Sequence, residues 1–454
     1  MPPKIPFEAR ICIIGAGPAG LSHAYYLRKA GYDNVTILEA NGKVGGKCES
    51  LTFNHRSFDM GANYLTPDYV HIMRMARDVG ARLYTEKGPI VFNPATRQFS
   101  KLFKAVTEGT TTLAFLWNAL RYFWIRWKLN GVLPAAGNMG LAGQEDLMVT
   151  LDEWLDRHDL GNLKRLFSIP VTMMGYGRLE EIPAPYVLRY IGLGTFRTML
   201  LFGAGLSLSY PKRFVDGFQR FWERVSWQLD VRTNVRVTQV VRRDSGVTVQ
   251  YQELGLPGEL VPPEPRQETY DYLVLSCPLT LDTLEPFLDL RAEESAQFSP
   301  EKVRHNLFGI TLLNGGGFRK KYRVFHILPL AEIDHPSIFA HQFPENPAFE
   351  IYMPMSANYN RNGQDGIALM KQRAVALVRD LGANSSEKDI LHYDLWRYFF
   401  HVDLDDFKAG YYDQLEKMQG TNRTFYNMGL NSFELIEPIA RYSKYLVDHY
   451  YEGN

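Results

Sequence analysis

The chain has 454 residues, of which 45% are hydrophobic and 22% are charged, so the length allows about three domains with real cores. Fifty basic residues balance fifty acidic ones, and this zero net charge argues against a nucleic-acid partner, since such proteins usually show a basic excess. Three cysteines cannot build a disulfide framework, so we expect a reducing, cytoplasmic location, and we expect no metal site.

The clearest motif lies in residues 9–40. An apolar run leads into glycines at GxGxxG spacing, then into a helical segment and a second apolar run that ends in Glu39. Gly15 allows a tight turn, Gly17 lets the backbone approach a pyrophosphate, and Gly20 lets the helix pack closely on the strand. The helix N-terminus offers free N–H groups to phosphate, and a carboxylate at Glu39 can accept hydrogen bonds from ribose hydroxyls. This order of elements predicts a dinucleotide site.

Four short features follow in chain order. Gly45 and Gly46 give a backbone that can lie flat against a ligand, and Lys47 can offer its charge to phosphate. The spacing of apolar residues predicts a helix over residues 69–80, and residues 92–99 are typical of a hairpin or loop.

An aromatic stretch covers residues 103–133. It combines large rings with basic residues: Phe115, Trp117, Tyr122, Phe123, Trp124 and Trp127, with Arg121, Arg126 and Lys128. One interpretation is an amphipathic helix that lies on a membrane or admits a lipid. The other, which the usual burial of aromatic residues favours, is the core of a helical lobe. No charge-free apolar run of some 18 residues occurs, which argues against a spanning helix; the nearest candidate, residues 190–210, contains Arg197 and four glycines.

Further along, Met174 and Tyr176 stand beside Gly175 and Gly177, which allows either an apolar pocket wall or ordinary core. A helix is predicted over residues 216–227, and the following alternation of apolar and polar residues predicts strands. The last segment reads as a strand, a turn and a long helix. No internal repeat and no second GxGxxG motif is visible.

The combination of GAGPAG at residues 15–20, Glu39, VGGK at 44–47 and DMGA at 59–62, with a late strand and turn before a final helix, resembles the flavin-containing amine oxidase superfamily. The resemblance is closest to polyenoic fatty acid isomerases, which form conjugated linoleic acid, and their relatives. It is carried by GGKC at residues 45–48, GYG at 175–177 and the stretch 396–426. The more distant β-cyclopiazonate dehydrogenase group shares this arrangement.

The resemblance implies an α/β fold with a Rossmann-like FAD-binding domain of the amine oxidase and glutathione reductase type, assembled from discontinuous segments. We expect this domain to comprise residues 1–95, 210–290 and 395–454. A helical and substrate lobe would cover residues 96–209, and a substrate domain with a mixed sheet would cover residues 291–394.

The same resemblance implies a set of FAD-binding residues. The glycine loop would hold the pyrophosphate, Glu39 the adenosine ribose and Val235 the adenine through its backbone, and the final helix N-terminus would face the pyrimidine edge of the flavin, where negative charge develops on reduction. The full set is Gly15, Gly17, Pro18, Ala19, Gly20, Glu39, Ala40, Gly46, Lys47, Gly61, Ala62, Asn63, Val235, Gly429, Asn431, Ser432 and Phe433.

Three departures from the family pattern concern the ligand contacts. Met428 precedes Gly429 where the superfamily usually has a Gly-Glu pair, so the ribityl contact must differ. The isomerase's aromatic residues before GYG appear here as Val171 and Met174, which we group with Tyr176 as candidate substrate contacts. The arginine that binds the substrate carboxylate falls where this chain offers Lys87, with Arg82 nearby. These departures leave the cofactor assignment standing and the substrate open.

The resemblance favours a redox-neutral isomerisation, in which a hydride leaves a carbon between two double bonds and returns at another carbon. The substrate would be a small apolar molecule, namely a polyunsaturated fatty acid, held by positioning and exclusion of water rather than by an acid–base pair. His401 is the single weak candidate for a catalytic side chain, and a structural role is favoured for it. Peripheral membrane contact and oligomeric state stay open.

Two alternatives remain. The chain could be an FAD-dependent oxidase or dehydrogenase that acts on an amine or alkaloid, with net oxidation of the substrate. It could also be a binding protein on the same fold, as in the Rab escort and dissociation-inhibitor relatives, although Glu39, Lys47 and the intact glycine loop argue against this.

Overall fold

The computed structural model describes residues 4–206, 210–254, 264–315, 324–327, 332–343, 345–359 and 364–452. In these ranges the strands are β1 Ile11–Ile14, β2 Val35–Leu38, β3 Ser50–Phe53, β4 Arg56–Asp59, β5 Leu83–Thr85, β6 Ile90–Asn93, β7 Gln98–Lys101, β8 Lys212–Phe214, β9 Asp230–Arg232, β10 Val235–Arg243, β11 Gly246–Glu253, β12 Arg266–Tyr270, β13 Tyr272–Leu275, β14 Arg304–Asn314, β15 Val324–Ile327, β16 Ile338–Ala340, β17 Ala348–Met355, β18 Ile390–His401 and β19 Thr424–Tyr426. The helices are α1 Pro18–Ala30, α2 Val70–Asp78, α3 Leu102–Val106, α4 Thr112–Lys128, α5 Leu151–Arg157, α6 Lys164–Ser168, α7 Ala184–Tyr190, α8 Leu193–Gly203, α9 Gly217–Ser226, α10 Leu281–Leu284, α11 Ala292–Gln297, α12 Gln364–Asp380, α13 Leu404–Lys408, α14 Tyr411–Lys417 and α15 Ile436–Tyr450.

A parallel five-stranded sheet in the order β19-β13-β1-β2-β9 forms the centre of one half of the molecule. All four residues of β1 are apolar and buried, which is typical of a parallel strand covered on both faces. The helices α1 and α15 pack against each other. Because the strands come from distant parts of the chain, this is the discontinuous Rossmann-like domain that the resemblance predicts.

A mixed seven-stranded sheet in the order β18-β14-β17-β16-β15-β6-β7 forms the other half. Its long central pair, β14 and β17, is antiparallel, and Ala348–Met355 is buried along its whole length. A third sheet, β10-β11-β12, is the antiparallel structure that the alternation after residue 230 predicts.

Strand pairing bears on where the predicted domains meet. The hairpin predicted over residues 92–99 exists as β6 and β7, and it extends the seven-stranded sheet by pairing with β15. Strand β18 belongs to the same sheet, so the residues on both sides of the predicted boundary at residue 395 lie in one structural unit. The division of the chain stays a proposal. We propose to assign residues 90–101 and 390–401 to the substrate domain, because backbone hydrogen bonds join them to its sheet.

The helical lobe contains α3 to α8. Phe115 and Tyr122 of α4 lie in its core, as the favoured interpretation predicts, but Trp117, Trp124 and Trp127 are exposed, so for these three the core assignment is wrong. The physical reason is geometric: α4 meets the lobe along one face, and the tryptophans project from the opposite face.

Residues 190–210 contain the end of α7 and all of α8, and residues 207–209 lie outside the described ranges. Among the helices that the structure describes, none is both long and apolar enough to cross a bilayer. The predicted helix over residues 69–80 is α2, and the cysteines Cys12, Cys48 and Cys277 are free thiols.

Candidate active site

A cavity of 1090 Å³ is lined by residues of the parallel sheet, the seven-stranded sheet and the helical lobe. This volume is at the upper end of the range of about 300–1,000 Å³ for ligand pockets, so it suits a long ligand and a second molecule. We divide its lining in two. The dinucleotide cradle comprises residues 14–15, 17–19, 38–44, 46–49, 235–237 and 276–278. The aromatic section comprises Tyr64, Tyr69, Met174, Tyr176, Tyr190, Phe308, Tyr352, Trp396 and Tyr398.

The glycines of the cradle differ in what surrounds them. A Cβ on Gly15 would lie 2.8 Å from the carbonyl oxygen of Ser276, and a Cβ on Gly20 would overlap the carbonyl oxygen of Gly15 itself. These two glycines therefore allow β1, α1 and β13 to approach closely. A Cβ on Gly17 would meet no protein atom within 4 Å, so at this position the backbone is open toward the cavity.

Glu39 ends β2 with its carboxylate directed into the loop. Its Oε2 accepts a hydrogen bond from the Ala16 amide at 2.7 Å, and its Oε1 accepts one from the Asn41 amide at 2.8 Å. The backbone of Glu39 accepts at 2.8 Å from the amide of Val235, where β10 begins. The Val235 N–H is therefore already hydrogen-bonded within the protein, and the contact of the Val235 backbone with the adenine stays a prediction.

Two observations test whether the cradle fits a dinucleotide. The hydroxyl of Ser276, which lines the cavity just after β13, is buried and has no hydrogen-bond partner among the residues that the structure describes. Helix α1 begins at Pro18 after Gly17, and no side chain caps its N-terminus. An unpaired buried hydroxyl, an uncapped helix N-terminus and the open space at Gly17 together leave donors directed at the cavity, as a bound pyrophosphate requires. The residues therefore fit FAD.

Lys47 of the dinucleotide cradle forms an ion pair with Glu434, which also lines the cavity. The ammonium of Lys47 also donates to the carbonyl of Arg397 at 2.8 Å, and Glu434 Oε2 accepts from the Phe400 amide at 2.9 Å. A Cβ on Gly429 would lie 3.1 Å from the Cα of Glu434, so the turn that precedes α15 brings this carboxylate against Gly429. Sequence analysis missed Glu434. The sequence feature that could have indicated it is an acidic residue just before the final helix.

The aromatic section is a continuous group of rings. The ring centroid of Tyr176 lies 5.1 Å from that of Tyr398 and 5.8 Å from that of Tyr190, and Phe308 stacks on Tyr398 at 5.3 Å. The pocket-wall interpretation of Tyr176 is supported by this placement. The glycine beside it serves the same purpose, because a Cβ on Gly175 would lie 2.6 Å from the Phe308 ring.

The hydroxyl groups of Tyr176 and Tyr398 are hydrogen-bonded and neutral. Tyr398 donates to the Tyr176 hydroxyl at 2.5 Å, and Tyr176 donates to the carbonyl of Glu434 at 3.1 Å. Burial raises the pKa of Tyr176, Tyr398 and Tyr69 well above the ordinary value of 10.0. None of these three phenols is therefore a proton acceptor at neutral pH.

All but four of the predicted cofactor residues line the cavity. The exceptions are Gly20, which sits behind the loop, and three residues of the turn before α15. Asn431 accepts from the Met428 amide at 3.0 Å, the carbonyl of Ser432 accepts from Asn138, and the Phe433 ring lies 4.7 Å from Tyr176. These three shape the turn, while Leu435, Ile436 and Ile439 of α15 and its cap reach the cavity instead.

Of the candidate substrate contacts, Met174 and Tyr176 line the cavity, while Val171 and Lys87 do not. Val171 is fully buried in the core of the helical lobe, because its short side chain faces that core. Lys87 is exposed just after β5. His401 also lies outside the lining; its ring stacks on Phe399 at 4.4 Å, and burial lowers its pKa to about 4. These positions favour a structural role for His401.

The aromatic side chains that sequence analysis missed are Tyr64, Tyr69, Tyr190, Phe308, Tyr352, Trp396 and Tyr398. They come from elements that are far apart in sequence, and each resembles an ordinary core residue in its local pattern. Of these, Trp396 and Tyr398 fell in the stretch 396–426 and Tyr190 in the stretch 183–190, PAPYVLRY, both of which the resemblance covered.

Comparison with known proteins agrees with this geometry. Residues 18–300 match the family model described as flavin containing amine oxidoreductase. Polyenoic fatty acid isomerase of Ptilota filicina is 39% identical over 280 residues, which are 55% of this chain and 54% of that protein. The chain thus aligns with about half the length of this relative.

Solved structures extend the similarity over the whole molecule. The conjugated linoleic acid-producing fatty acid isomerase from P. acnes superposes with a TM-score of 0.83 at 25% identity, covering 98% of this chain and 99% of that one. A putrescine oxidase with bound putrescine gives 0.68 at 14% identity, with 97% and 98% covered, and shows that the fold is shared. The chain therefore belongs to the flavin containing amine oxidoreductase family, and its cofactor is FAD.

Proposed function

We propose that this chain is an FAD-dependent isomerase that shifts double bonds of a polyunsaturated fatty acid. The observation that carries the proposal is the aromatic section, an apolar wall of buried neutral rings continuous with the cradle. The names of the Ptilota filicina relative and of the P. acnes structure support the same reaction class.

The reaction is redox-neutral: a hydride leaves a carbon between two double bonds and returns at another carbon, so the double bonds become conjugated. When bound, FAD supplies a hydride acceptor that can also return the hydride. The residues present would hold it through the loop at Gly17, the carboxylate of Glu39 and the hydroxyl of Ser276.

The protein's own task is to position the hydrocarbon and exclude water. The rings of Tyr176, Tyr190 and Tyr398 form an apolar wall, and their π faces can stabilise positive charge that develops on the carbon skeleton when the hydride leaves. Because burial raises the pKa of all three phenols, they stay protonated and none of them is a base beside such a cation.

An amine substrate fits the section less well. An ammonium group needs an anionic partner when it leaves water. Glu434, whose backbone carbonyl accepts from the Tyr176 hydroxyl, has a carboxylate that is already paired with Lys47 and the Phe400 amide. This pairing favours an uncharged hydrocarbon over an amine or alkaloid.

The test is to mix the purified protein with linoleic and other polyunsaturated fatty acids, without oxygen or added acceptor, and to follow conjugated-diene absorbance. Many turnovers per FAD are expected. If the flavin is bleached once and no diene accumulates, the protein is a net oxidase or dehydrogenase. If no fatty acid changes either signal, a screen of amines and alkaloids in air would replace this proposal.

A further inference from the structure

Helix α4 presents an unusual surface. Among the described residues, six of the fourteen large hydrophobic side chains that are exposed lie on this one helix. We call them the α4 face: Leu113 (81% exposed), Leu116 (46%), Trp117 (66%), Leu120 (64%), Trp124 (56%) and Trp127 (64%).

The six positions form one stripe. Successive helical residues are turned by about 100°, so these side chains fall within an arc of about 100° along four turns. The opposite side of α4 is fixed in the lobe: Tyr122 donates to the carbonyl of Ile191 at 2.7 Å, and Arg126 donates to the carbonyl of Leu188 at 2.8 Å. The helix therefore cannot turn its apolar stripe inward without breaking these contacts.

The charges beside the stripe are basic. Helix α4 contains no acidic residue, and Arg121 and Lys128 both lie at the same edge of the arc. The ammonium of Lys128 lies 3.5 Å from the centroid of the Trp124 ring, and Arg121 pairs at 3.0 Å with Asp159, in the turn that follows α5. Tryptophan with flanking lysine and arginine is the composition of helices that lie in the interface of a bilayer.

We propose that the α4 face docks on an anionic lipid surface. Charge distinguishes this occupant from a second copy of the chain. Asp159 already balances Arg121, but the cation of Lys128 would meet only a second helix without acidic residues if two α4 faces packed together, whereas anionic headgroups neutralise it. Tryptophan and leucine then enter the boundary between headgroups and acyl chains, and the long basic side chains reach the headgroups.

The position of α4 connects the docking surface with the wall of the cavity. Helix α4 packs on α8, where the Phe123 and Phe196 ring centroids are 5.1 Å apart, and Phe202 of α8 contacts Tyr64 of the aromatic section at 6.2 Å. The lobe that meets the lipid thus also forms a wall of the cavity. This benefit rests on the proposed function, but the docking itself does not, because it needs only the α4 face.

The experiment is co-sedimentation of the FAD-loaded protein with phosphatidylcholine vesicles and with vesicles that also contain phosphatidylglycerol. We expect binding to the anionic vesicles that falls at least tenfold in the triple variant Trp117→Ser, Trp124→Ser, Trp127→Ser. The matched control is Trp227→Ser, because Trp227 is 66% exposed at the end of α9, and this variant should bind like the wild type. The variant Lys128→Gln, which removes the cation beside Trp124, should lose about fivefold in binding to the anionic vesicles.

Two readouts separate docking from other effects. Flavin absorbance and the melting temperature show whether the triple variant is folded, and sedimentation velocity gives the oligomeric state. Failure of the wild type to bind anionic vesicles, or equal binding by the triple variant, would overturn the proposal. A wild-type dimer that becomes a monomer in the triple variant, without vesicle binding, would assign the face to a second copy instead. None of these results depends on turnover of a fatty acid.

Discussion

The dinucleotide cradle and the aromatic section line one cavity but are built in different ways. The cradle comes mainly from backbone groups of one local motif, in which Gly15, Gly17 and Glu39 lie within 25 residues. The aromatic section comes from side chains of distant elements, such as Tyr176, Phe308 and Tyr398. Cofactor binding therefore depends on where the backbone can approach the dinucleotide, whereas the choice of substrate depends on how elements that are distant in sequence pack together.

The largest expected effect comes from a substitution that distorts the dinucleotide cradle. In Gly20→Ala the new Cβ overlaps the carbonyl oxygen of Gly15, so the loop must shift, at a cost of about 1–3 kcal/mol of stability. We expect a lower melting temperature and loss of bound flavin, measured by thermal denaturation and absorbance. A variant that melts at the wild-type temperature and retains its flavin would contradict the close packing of α1 on the loop.

The next effect separates ligand binding from folding. The Cβ of Gly17→Ala meets no protein atom within 4 Å, and the residue has φ −75°, which alanine accepts. We expect an unchanged melting temperature for the apoprotein and FAD affinity at least tenfold weaker, which is about 1.4 kcal/mol. Gly143→Ala also meets nothing within 4 Å and is the control. Unchanged FAD affinity in Gly17→Ala would place the pyrophosphate elsewhere.

The aromatic section should behave in the opposite way, with cofactor retained and turnover altered. Tyr176→Leu removes a ring that contacts Tyr190 and Tyr398, and we expect about tenfold slower turnover, or about 1.4 kcal/mol in the barrier. Tyr176→Phe keeps the ring and should lose less than threefold. Flavin absorbance should match the wild type in both. Equal losses in the two variants would mean that the hydroxyl, not the ring, carries the effect.

The smallest expected effect concerns pH. Burial raises the pKa of Glu437, beside the cavity at the start of α15, from 4.5 to about 7. In the unfolded chain this carboxyl ionises near pH 4.5, so between pH 4.5 and 7 the folded state binds more protons and stability falls as pH rises. The wild type should therefore lose melting temperature relative to Glu437→Gln between pH 5 and 8, and a constant difference across this range would refute the shifted pKa.

The contrast also explains which parts were predictable. Helix α1 and strand β2 were predicted correctly because their physical requirements are local and leave a fixed spacing, while the FAD contacts of the glycine loop and of Glu39 stay predictions. Tyr190 and Phe308 were missed because nothing in their local pattern separates a ring that lines a cavity from one in the core. For the same reason Val171 was placed in the site although it faces the lobe, and Trp117 was assigned to the core although it faces outward. Lys87 rested on the resemblance alone.

The parallel sheet has a consequence for synthesis of the protein. Strand β1 is translated long before β19, which completes its sheet, and α1 long before α15, which is its packing partner. The two ends of this unit are even joined directly, since the Ile5 amide donates to the carbonyl of Tyr450 at 2.9 Å. At 5–20 residues per second, roughly 20–90 s pass between translation of residue 11 and residue 450. During that time the apolar strand β1 lacks its complete sheet and is exposed to aggregation. A chaperone that binds apolar segments of the nascent chain would therefore raise the yield of flavin-loaded protein.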